Sequence, residues 1–416
     1  MKVVIIAGGQ GTRIASVNSE IPKAMIPIAG KPILEYEVEL AKRYGFTDFL
    51  FVIGYLGDRI VNYFGDGTQW GVTIDYFVEE QPLGTAGALG LLRDKLTEDF
   101  FVFYGDTIVD FDMRAMLAYH KQHQADATMF VHPNDHPYDS DIVVMDAEHR
   151  ITDFMLKPHS ADFVAHNMVN AALFILSPKV LDVIVPNKKS HIEKDVLPAC
   201  LERDLRLFGY VSFEYIKDMG TPDRYYAVCD DVLSGKVLRF NRRNKRKAIF
   251  LDRDGVINRE VNLLSKPEQM ELVAGAAEAI KTINKSDYLA IVVTNQPVIA
   301  RNLCDFTELD TIHAKLETLL GCERAYINAI YYCPHHPDAG YPEERKEYKI
   351  TCTCRKPAPG MLLQAAEDWN IDLANSYMIG DDERDVLAGQ NAGCKQSFKI
   401  ETNKAGALLQ LINKIV

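Results

Sequence analysis

Two carboxylates stand two residues apart in DRDGVIN, Asp252 and Asp254, directly after the apolar run AIFL. At the carboxyl end of a strand such a pair can divide labour: Asp252 attacks phosphorus, while Asp254 protonates the leaving alkoxide and then activates water. A carboxylate approaching a phosphate dianion is repelled unless Mg²⁺ lies nearby, and Asp381 in IGDD is the natural extra ligand. The competing reading is a DxDG calcium loop or a plain turn. Against it stand the apolar strand before the motif and, downstream, Thr294-Asn295 and Arg355-Lys356-Pro357. Asp385 is read either as a group that orients its neighbours or as the cap of the last helix.

Cys333 and His335 in CPHHP, with Cys352 and Cys354 in CTC, supply three thiolates and an imidazole in two tight pairs separated by a loop. That set suits Zn²⁺, with free buried cysteines as the alternative. With no open coordination position the ion is expected to be structural, clamping the loop that delivers Arg355 and Lys356. His336 is read as a surface neighbour.

A second constellation lies near the amino terminus. AGGQGTR, Ala7 to Arg13, follows a strand-like run, and Pro22-Lys23 comes after it. Glycines let the backbone approach a triphosphate closely, while Arg13 and Lys23 neutralise its charge. Most Gly-rich turns only reverse the chain, but three further pieces fall where a nucleotidyl transfer site requires them: Leu83-Gly84-Thr85-Ala86-Gly87, Gly105-Asp106, and Asp218 in KDMGTP. Two carboxylates distant in sequence can meet at one Mg²⁺ that bridges phosphates. Each aspartate taken singly reads as a cap or turn residue.

From Lys2 to about Leu233 these motifs resemble the sugar-phosphate nucleotidylyltransferases, whose signature GGxGTR…PK is carried by Gly8, Gly9, Gly11, Thr12, Arg13, Pro22 and Lys23. The resemblance implies that Asp106 and Asp218 hold the metal, with Asp106 also facing substrate. It implies that Arg13 and Lys23 hold the nucleotide phosphates, Gln81 and Gly84 with Thr85 the base region, and Lys157 in LKP the sugar phosphate. The implied reaction is in-line attack of a sugar 1-phosphate oxygen on the α-phosphorus of an NTP, releasing pyrophosphate. Many relatives have Glu before the Lys-Pro, where this chain has Leu156, which puts the contacts of that acid in doubt.

From about Ala248 onward the chain is similar to the haloacid dehalogenase phosphatases. The resemblance makes Asp252 the nucleophile, Asp254 the acid/base, Thr294 a phosphate ligand and Lys356 the charge clamp, with Asp252, Asp254 and Asp381 as Mg²⁺ ligands and Asn295 and Arg355 at the substrate. The zinc loop followed by CRKP looks like the subgroup of D-glycero-D-manno-heptose 1,7-bisphosphate phosphatase and histidinol-phosphate phosphatase. Where the usual relative reads TNQSG this chain has Pro297-Val298, and Pro297 removes a backbone N–H.

Together the resemblances imply removal of the 7-phosphate from the heptose bisphosphate, then guanylyl transfer to the 1-phosphate. The product would be GDP-heptose for bacterial surface polysaccharide or lipopolysaccharide. GTP is expected on the likeness to mannose- and heptose-1-phosphate guanylyltransferases, with CTP, UTP and ATP open. Two other readings compete: a silent, nucleotide-sensing first domain, and a phosphatase for histidinol phosphate or another small phosphoester fused incidentally.

The elements that must position these residues follow from periodicity. Runs such as VVIIA, DFLFVI, VTIDYFV and FFVFYGD alternate with helical stretches near 32–44, 55–64 and 85–95, which means a sheet covered by helices with chemistry at the strands' carboxyl ends. Shorter β-rich runs over 125–215 read as a substrate-binding lobe, and a helix over 221–233 closes the domain. The charged RFNRRNKRK reads as a linker or as the exposed start of the next strand. A second alternating series starts at AIFLD, with helices near 274–284, 305–320, 360–369 and 385–392. The expected architecture is therefore two α/β domains. Residues 1–236 form a Rossmann-like nucleotidyltransferase fold with a mixed sheet, 237–247 a basic linker, and 248–416 a doubly wound parallel sheet.

Length and composition agree with two domains: 416 residues, 47% apolar and 25% charged. A net charge of −12 disfavours nucleic acid as a partner, leaving small-molecule substrates and an open question of homo-oligomerisation. No apolar run approaches the roughly 20 residues of a membrane helix, and the start breaks into glycine too soon for a signal peptide, so a cytoplasmic location is expected. Eight cysteines are too few for a disulfide scaffold in a chain this long.

Overall fold

Alternate residues of the first strands are apolar on both sides, the signature of strands buried on two faces. In the computed structural model, which describes all residues but 10–20, 161, 339, 341 and 342, those strands are Val3–Ile6 (β1), Asp48–Ile53 (β2), Thr73–Val78 (β3) and Phe100–Tyr104 (β4). β2 and β4 flank β1 in parallel, and β3 extends the sheet beyond β2. On the other side Thr107–Asp110 (β5) leaves the sheet, and Val169–Leu176 (β6) pairs antiparallel with β4. With the strands Ile142–Met145, Ile151–Met155, Ala127–His132 and Leu207–Val211 this makes a mixed nine-stranded sheet among the described residues. β5 pairs instead with Tyr215–Asp218 (β7), antiparallel.

The period of two divides the core. Val3, Ile5, Phe49, Phe51, Phe101 and Phe103 pack on one face, and Val4, Leu50, Val52, Val102 and Phe174 on the other. Phe51 meets Phe64 and Tyr76 edge to face, with ring centroids 5.5 and 5.8 Å apart, contacts worth about 0.5–1.5 kcal/mol each beyond burial.

The helix expected over 85–95 does not form; the stretch is a set of turns with one 3-10 turn, Leu89–Leu91. Its backbone bonds go elsewhere: Ala86 N–H donates to Ser190 O and Ser190 N–H to Leu83 O, both at 3.0 Å. Glycines at 84, 87 and 90 also weaken a helix by about 1 kcal/mol each. Gly84 has φ +77°, and a Cβ there would lie 2.3 Å from Ser190 O, so no other residue fits.

The second series forms a five-stranded parallel sheet. Lys247–Leu251 (β8), Tyr288–Asn295 (β9), Ala329–Cys333 (β10), Tyr377–Gly380 (β11) and Gln396–Lys399 (β12) lie in the order β10-β9-β8-β11-β12. The order reverses at β8, the switch point beyond whose carboxyl end ligands bind in such sheets. β12 and the final helix Ala407–Ile415 were not anticipated: QSFK is a short, half-exposed edge strand without an apolar run.

The described chain divides into two units. One comprises Met1–His132, Val143–Leu156 and Asn170–Asn241, the other Pro133–Ile142, Lys157–Val169 and Arg242–Val416. The basic run is ordered at both ends: Lys236–Arg239 is a helical turn, Asn241 is buried and donates to Asp110 at 2.5 Å, and buried Arg246 donates to Trp369 O. Among the described residues no helix is long and apolar enough to cross a membrane.

The helix Ile33–Arg43 buries Ile33, Leu34, Glu37, Val38, Leu40 and Ala41 on one face, so an acid is carried into the core. Glu37 Oε1 accepts from Thr107 Oγ1 at 3.3 Å, and Oε2 has no hydrogen-bond partner among the described residues. Burial, with Asp106 nearby, pushes its carboxyl well above the usual range. A raised carboxyl binds a proton that the unfolded chain gives up, so its contribution to stability falls as pH rises above the ordinary carboxylate range. Glu37→Gln is expected to melt higher than wild type at pH 8 and to lose that advantage at pH 4, as differential scanning calorimetry across pH would register; an unchanged difference at the two pH values would refute a neutral Glu37.

Candidate active sites

In the second unit, β8 delivers Asp252 to the point where β9, the 352–357 loop and the helix Glu383–Ala392 meet. The Lys356 ammonium, only 2% exposed, lies 2.8 Å from Asp252 Oδ1 and 2.7 Å from Asp385 Oδ1 and donates to Val293 O at 2.8 Å. Arg253 N–H also donates to Asp252 Oδ1, at 2.7 Å, so Oδ2 is the oxygen left without a hydrogen bond among the described residues. Burial pushes Asp252 up to about 7 against the pull of Lys356, with Asp385 and Asp254 adding repulsion. Burial alone would also lower Lys356, but Asp252 and Asp385 outweigh it and hold the ammonium above its usual value.

Asp254 is gripped differently. Its carboxylate accepts from Arg253 Nη2 at 2.9 and 3.0 Å, from Asn258 Nδ2 at 2.9 Å and from Gln296 Nε2 at 2.8 Å. Burial pushes it up, yet Arg253 and these amides together hold it below the usual range. Arg253, Asn258 and Gln296 were not singled out from the sequence; the only signal was the residue type enclosed between the two aspartates. Thr294 is buried and accepts from Gln296 Nε2 at 2.9 Å. Asn295 exchanges hydrogen bonds with the Lys356 backbone, donating to its O at 3.1 Å and accepting from its N–H at 3.0 Å.

Asp252, Asp381 and Asp385 each offer an oxygen within 4.8 Å of the others, a group that fits a divalent cation. Gly255, at φ +80°, makes room: a Cβ there would lie 2.2 Å from Asp381 Oδ2. Asp385 Oδ2 accepts from the N–H of Asp382, the residue that caps Glu383–Ala392, while its Oδ1 meets Lys356.

Cys333, His335, Cys352 and Cys354 converge, with Sγ atoms 3.2–3.5 Å apart and His335 Nδ1 3.4 Å from Cys354 and 3.7 Å from Cys333. A tetrahedral ion with thiolate bonds near 2.3 Å sets such edges at about 3.8 Å, so the donor set fits. Arg355 Nη1 donates to His335 O at 3.0 Å, tying the cluster to the Arg-Lys pair. His336 is buried rather than on the surface: its N–H donates to Tyr348 O, and its Nδ1 accepts from Asp338 N–H.

In the first unit a cavity of about 230 Å³ opens at the carboxyl ends of β1, β3 and β4, lined by Gly8, Gly9, Lys23, Glu79, Gly84, Thr85, Tyr104 and Asp106 among others. Lys23, in a 3-10 turn after extended Pro22, forms a short ion pair with Asp106. Asp218 faces Thr107 across the β5–β7 ladder, and Met219 N–H donates to Asp106 O at 3.1 Å, so the two aspartates lie on neighbouring strands. The Asp218 carboxylate accepts from Arg224 at 2.7 Å and from Gly220 N–H at 3.0 Å. Gly11, Thr12 and Arg13 lie outside the described residues. Gln81 is exposed and is not part of the described wall; Glu79, two residues earlier, is. Lys157 belongs to the second unit, where its Nζ donates to Asp139 O at 2.7 Å.

The family model described as nucleotidyl transferase matches residues 2–235, more than half of the chain. The chain belongs to the nucleotidyl transferase family. A probable mannose-1-phosphate guanylyltransferase of Oryza sativa subsp. japonica is 36% identical over 231 residues, 54% of this chain; the chain spans 63% of that relative's length. A putative glucose-1-phosphate thymidylyltransferase structure from Bacillus anthracis superposes with a TM-score of 0.50 at 22% identity, covering 56% of this chain and 96% of that one, a likeness of fold.

The carboxy-terminal part has separate kin. An HAD-hydrolase-like model matches residues 353–400. The D-glycero-beta-D-manno-heptose-1,7-bisphosphate 7-phosphatase of Pasteurella multocida is 38% identical over 159 residues, 38% of this chain and 84% of that protein. This nucleotidyl transferase therefore also belongs, in its second part, to the haloacid dehalogenase phosphatases, and both parts have the α/β architecture read from the sequence. Enzymes of both families generally use Mg²⁺.

Proposed function

We propose that this chain prepares a nucleotide-activated heptose in two reactions, dephosphorylation of a sugar 1,7-bisphosphate and nucleotidyl transfer to the resulting sugar 1-phosphate. The observation that carries the reading is the joining of these two families in one chain, since the first reaction yields the class of substrate the second consumes.

In the phosphatase site Asp252 Oδ2 attacks the 7-phosphorus and the bond to the C7 oxygen breaks, leaving an aspartyl phosphate. Lys356 holds Oδ1 still and offsets charge. Asp254 passes a proton to the leaving oxygen; because Arg253 keeps it ionised in the free site, that proton enters with the substrate phosphate. Asp254 then takes a proton from the water that attacks the phosphoenzyme. Asp252, Asp381 and Asp385 would hold Mg²⁺, which when bound shields the nucleophile from the phosphate's charge. Arg355, beside Lys356 and anchored through its Nη1 to His335 O, is a cation that would offset the charge of a second phosphate on the substrate.

In the nucleotide site Lys23 offsets phosphate charge, and Asp106 and Asp218 would hold Mg²⁺, which when bound would neutralise further phosphate charge. Catalysis there is positioning and charge neutralisation. Glu79 favours guanine: its carboxylate can accept from both N1–H and the 2-amino group, a paired donor edge that adenine, cytosine and uracil lack. The Cys333, His335, Cys352 and Cys354 cluster would hold structural zinc that fixes Arg355 and Lys356.

The purified chain is expected to release phosphate from the heptose bisphosphate, and pyrophosphate from GTP plus heptose 1-phosphate. Asp252→Asn should abolish only the first activity and Lys23→Ala mainly the second, each by about a thousandfold; loss of both activities in either folded variant would end the two-site reading. In pyrophosphate assays over four NTPs, Glu79→Gln should cut the preference for GTP by about tenfold or more, whereas an unaltered preference would place base recognition elsewhere. Elemental analysis should find zinc at about one equivalent, lost in Cys354→Ser together with most phosphatase activity; a zinc-free, fully active wild type would exclude the structural ion.

A further inference from the structure

Two hydroxyls line the cavity of the first unit, Tyr104 at the end of β4 and Thr85 in the LGTAG turn. Both are bound by one carboxylate. Tyr104 Oη donates to Glu193 Oε1 at 2.6 Å, and Thr85 Oγ1 donates to Glu193 Oε2 at 3.4 Å. Thr85 Oγ1 in turn accepts from the Ile192 N–H at 2.9 Å.

A hydroxyl has one proton and two acceptor lone pairs, whereas a carboxylate has no proton to give. With the Tyr104 proton held by Glu193 at 2.6 Å and that of Thr85 directed more loosely at the same carboxylate at 3.4 Å, the two hydroxyls turn oxygen lone pairs to a ligand. The wall is therefore an acceptor surface. Phosphate oxygens, themselves acceptors, are disfavoured there and drawn to the Lys23 ammonium on the same cavity.

Glu193 is held for this. It sits in a single π-turn, Ile192–Val196, which runs into the helix Leu197–Glu202 and is braced by the His191 N–H donating to Asp195 Oδ2 at 2.7 Å. Such turns are rare and strained relative to an α-helix. The hydrogen bonds of Ser190 to Leu83 and Ala86 dock the LGTAG turn on the same stretch.

We propose that Glu193 is a positioning residue that makes acceptors of Tyr104 and Thr85 for the hydroxyl groups of a substrate, the ribose of the nucleotide or the sugar of the sugar 1-phosphate. The assignment rests on the nucleotidyl-transfer reading of this cavity.

Glu193→Gln tests it in the full chain, because the amide keeps the size but donates, turning a hydroxyl proton back toward the ligand. Steady-state pyrophosphate release is measured with GTP and heptose 1-phosphate varied in turn. The expected result is a KM raised about tenfold for one substrate, the loss of about one hydrogen bond, with kcat within about threefold. Tyr104→Phe should raise the same KM, and the double variant should be no worse than the worse single one, since both act through one interaction. The substrate whose KM moves identifies the source of the hydroxyls, and 2′-deoxy-GTP should be insensitive to the substitution if the ribose 2′-hydroxyl is the partner. A cooperative melting transition like that of wild type reports that the unit carrying Glu193 is folded; should Glu193→Gln misfold, Tyr104→Phe alone carries the KM test. Unchanged KM values, or a fall in kcat alone, in a wild-type-active background would overturn the assignment and leave nucleotidyl transfer standing. A wild type that releases no pyrophosphate with any pair overturns both.

Discussion

An ammonium removed from water needs charge partners around it, and Lys356 is such a group, with Asp252, Asp385 and the Val293 carbonyl as its neighbours. Taking one partner from a buried pair of this kind costs about 3–5 kcal/mol, because the charge left behind is uncompensated. The constraint reaches through the second unit. To close around one ammonium, the ends of β8 and β9, the loop that follows the cysteines and the first turn of Glu383–Ala392 must arrive at one point. Asn295 fixes the lysine's backbone from β9, and Arg355 ties the preceding residue to His335. The Cys/His cluster is thus part of how the lysine is aimed, not an appendage.

Asp252 and Asp381 were legible in the sequence because each ends an apolar strand run, AIFL and SYMIG, and Asp254 and Lys356 because of the Asp-x-Asp and Arg-Lys-Pro motifs that hold them. The metal-fitting cluster was legible from two tight pairs. What could not be read depends on side chains meeting across long stretches. Glu193 reaches Thr85 over 108 residues and Tyr104 over 89. Thr85 and Tyr104 lie in or beside motifs read from the sequence, but Glu193 carries no mark in its own neighbourhood. Gln296, given no role from the sequence, holds Asp254 from 42 residues away. The stretch 85–95 misled for the opposite reason: local apolar spacing implied a helix, while the Ala86 N–H goes to Ser190, which no local pattern announces, and Leu89, Leu91, Leu92 and Lys95 close short turns.

The two sites meet one electrostatic problem, a cation beside aspartates that must also receive phosphate, in different surroundings. Lys356 is buried and shared by two carboxylates, so its field is strong and its place is set. Lys23 and Asp106 are 12% and 34% exposed at their side chains, and Asp218 and its partner Arg224 are more open, at 42% and 39%. Pairs open to solvent are worth little, about 0–1 kcal/mol, and are readily exchanged. A site that handles one phosphoryl group of fixed size gains from the first arrangement, since preorganised charge needs no rearrangement as the reaction proceeds. A cavity that must admit a triphosphate, a base and a sugar gains from the second, where Lys23 can move from aspartate to phosphate at small cost while the acceptor wall of Tyr104 and Thr85 keeps the hydroxyl end in register.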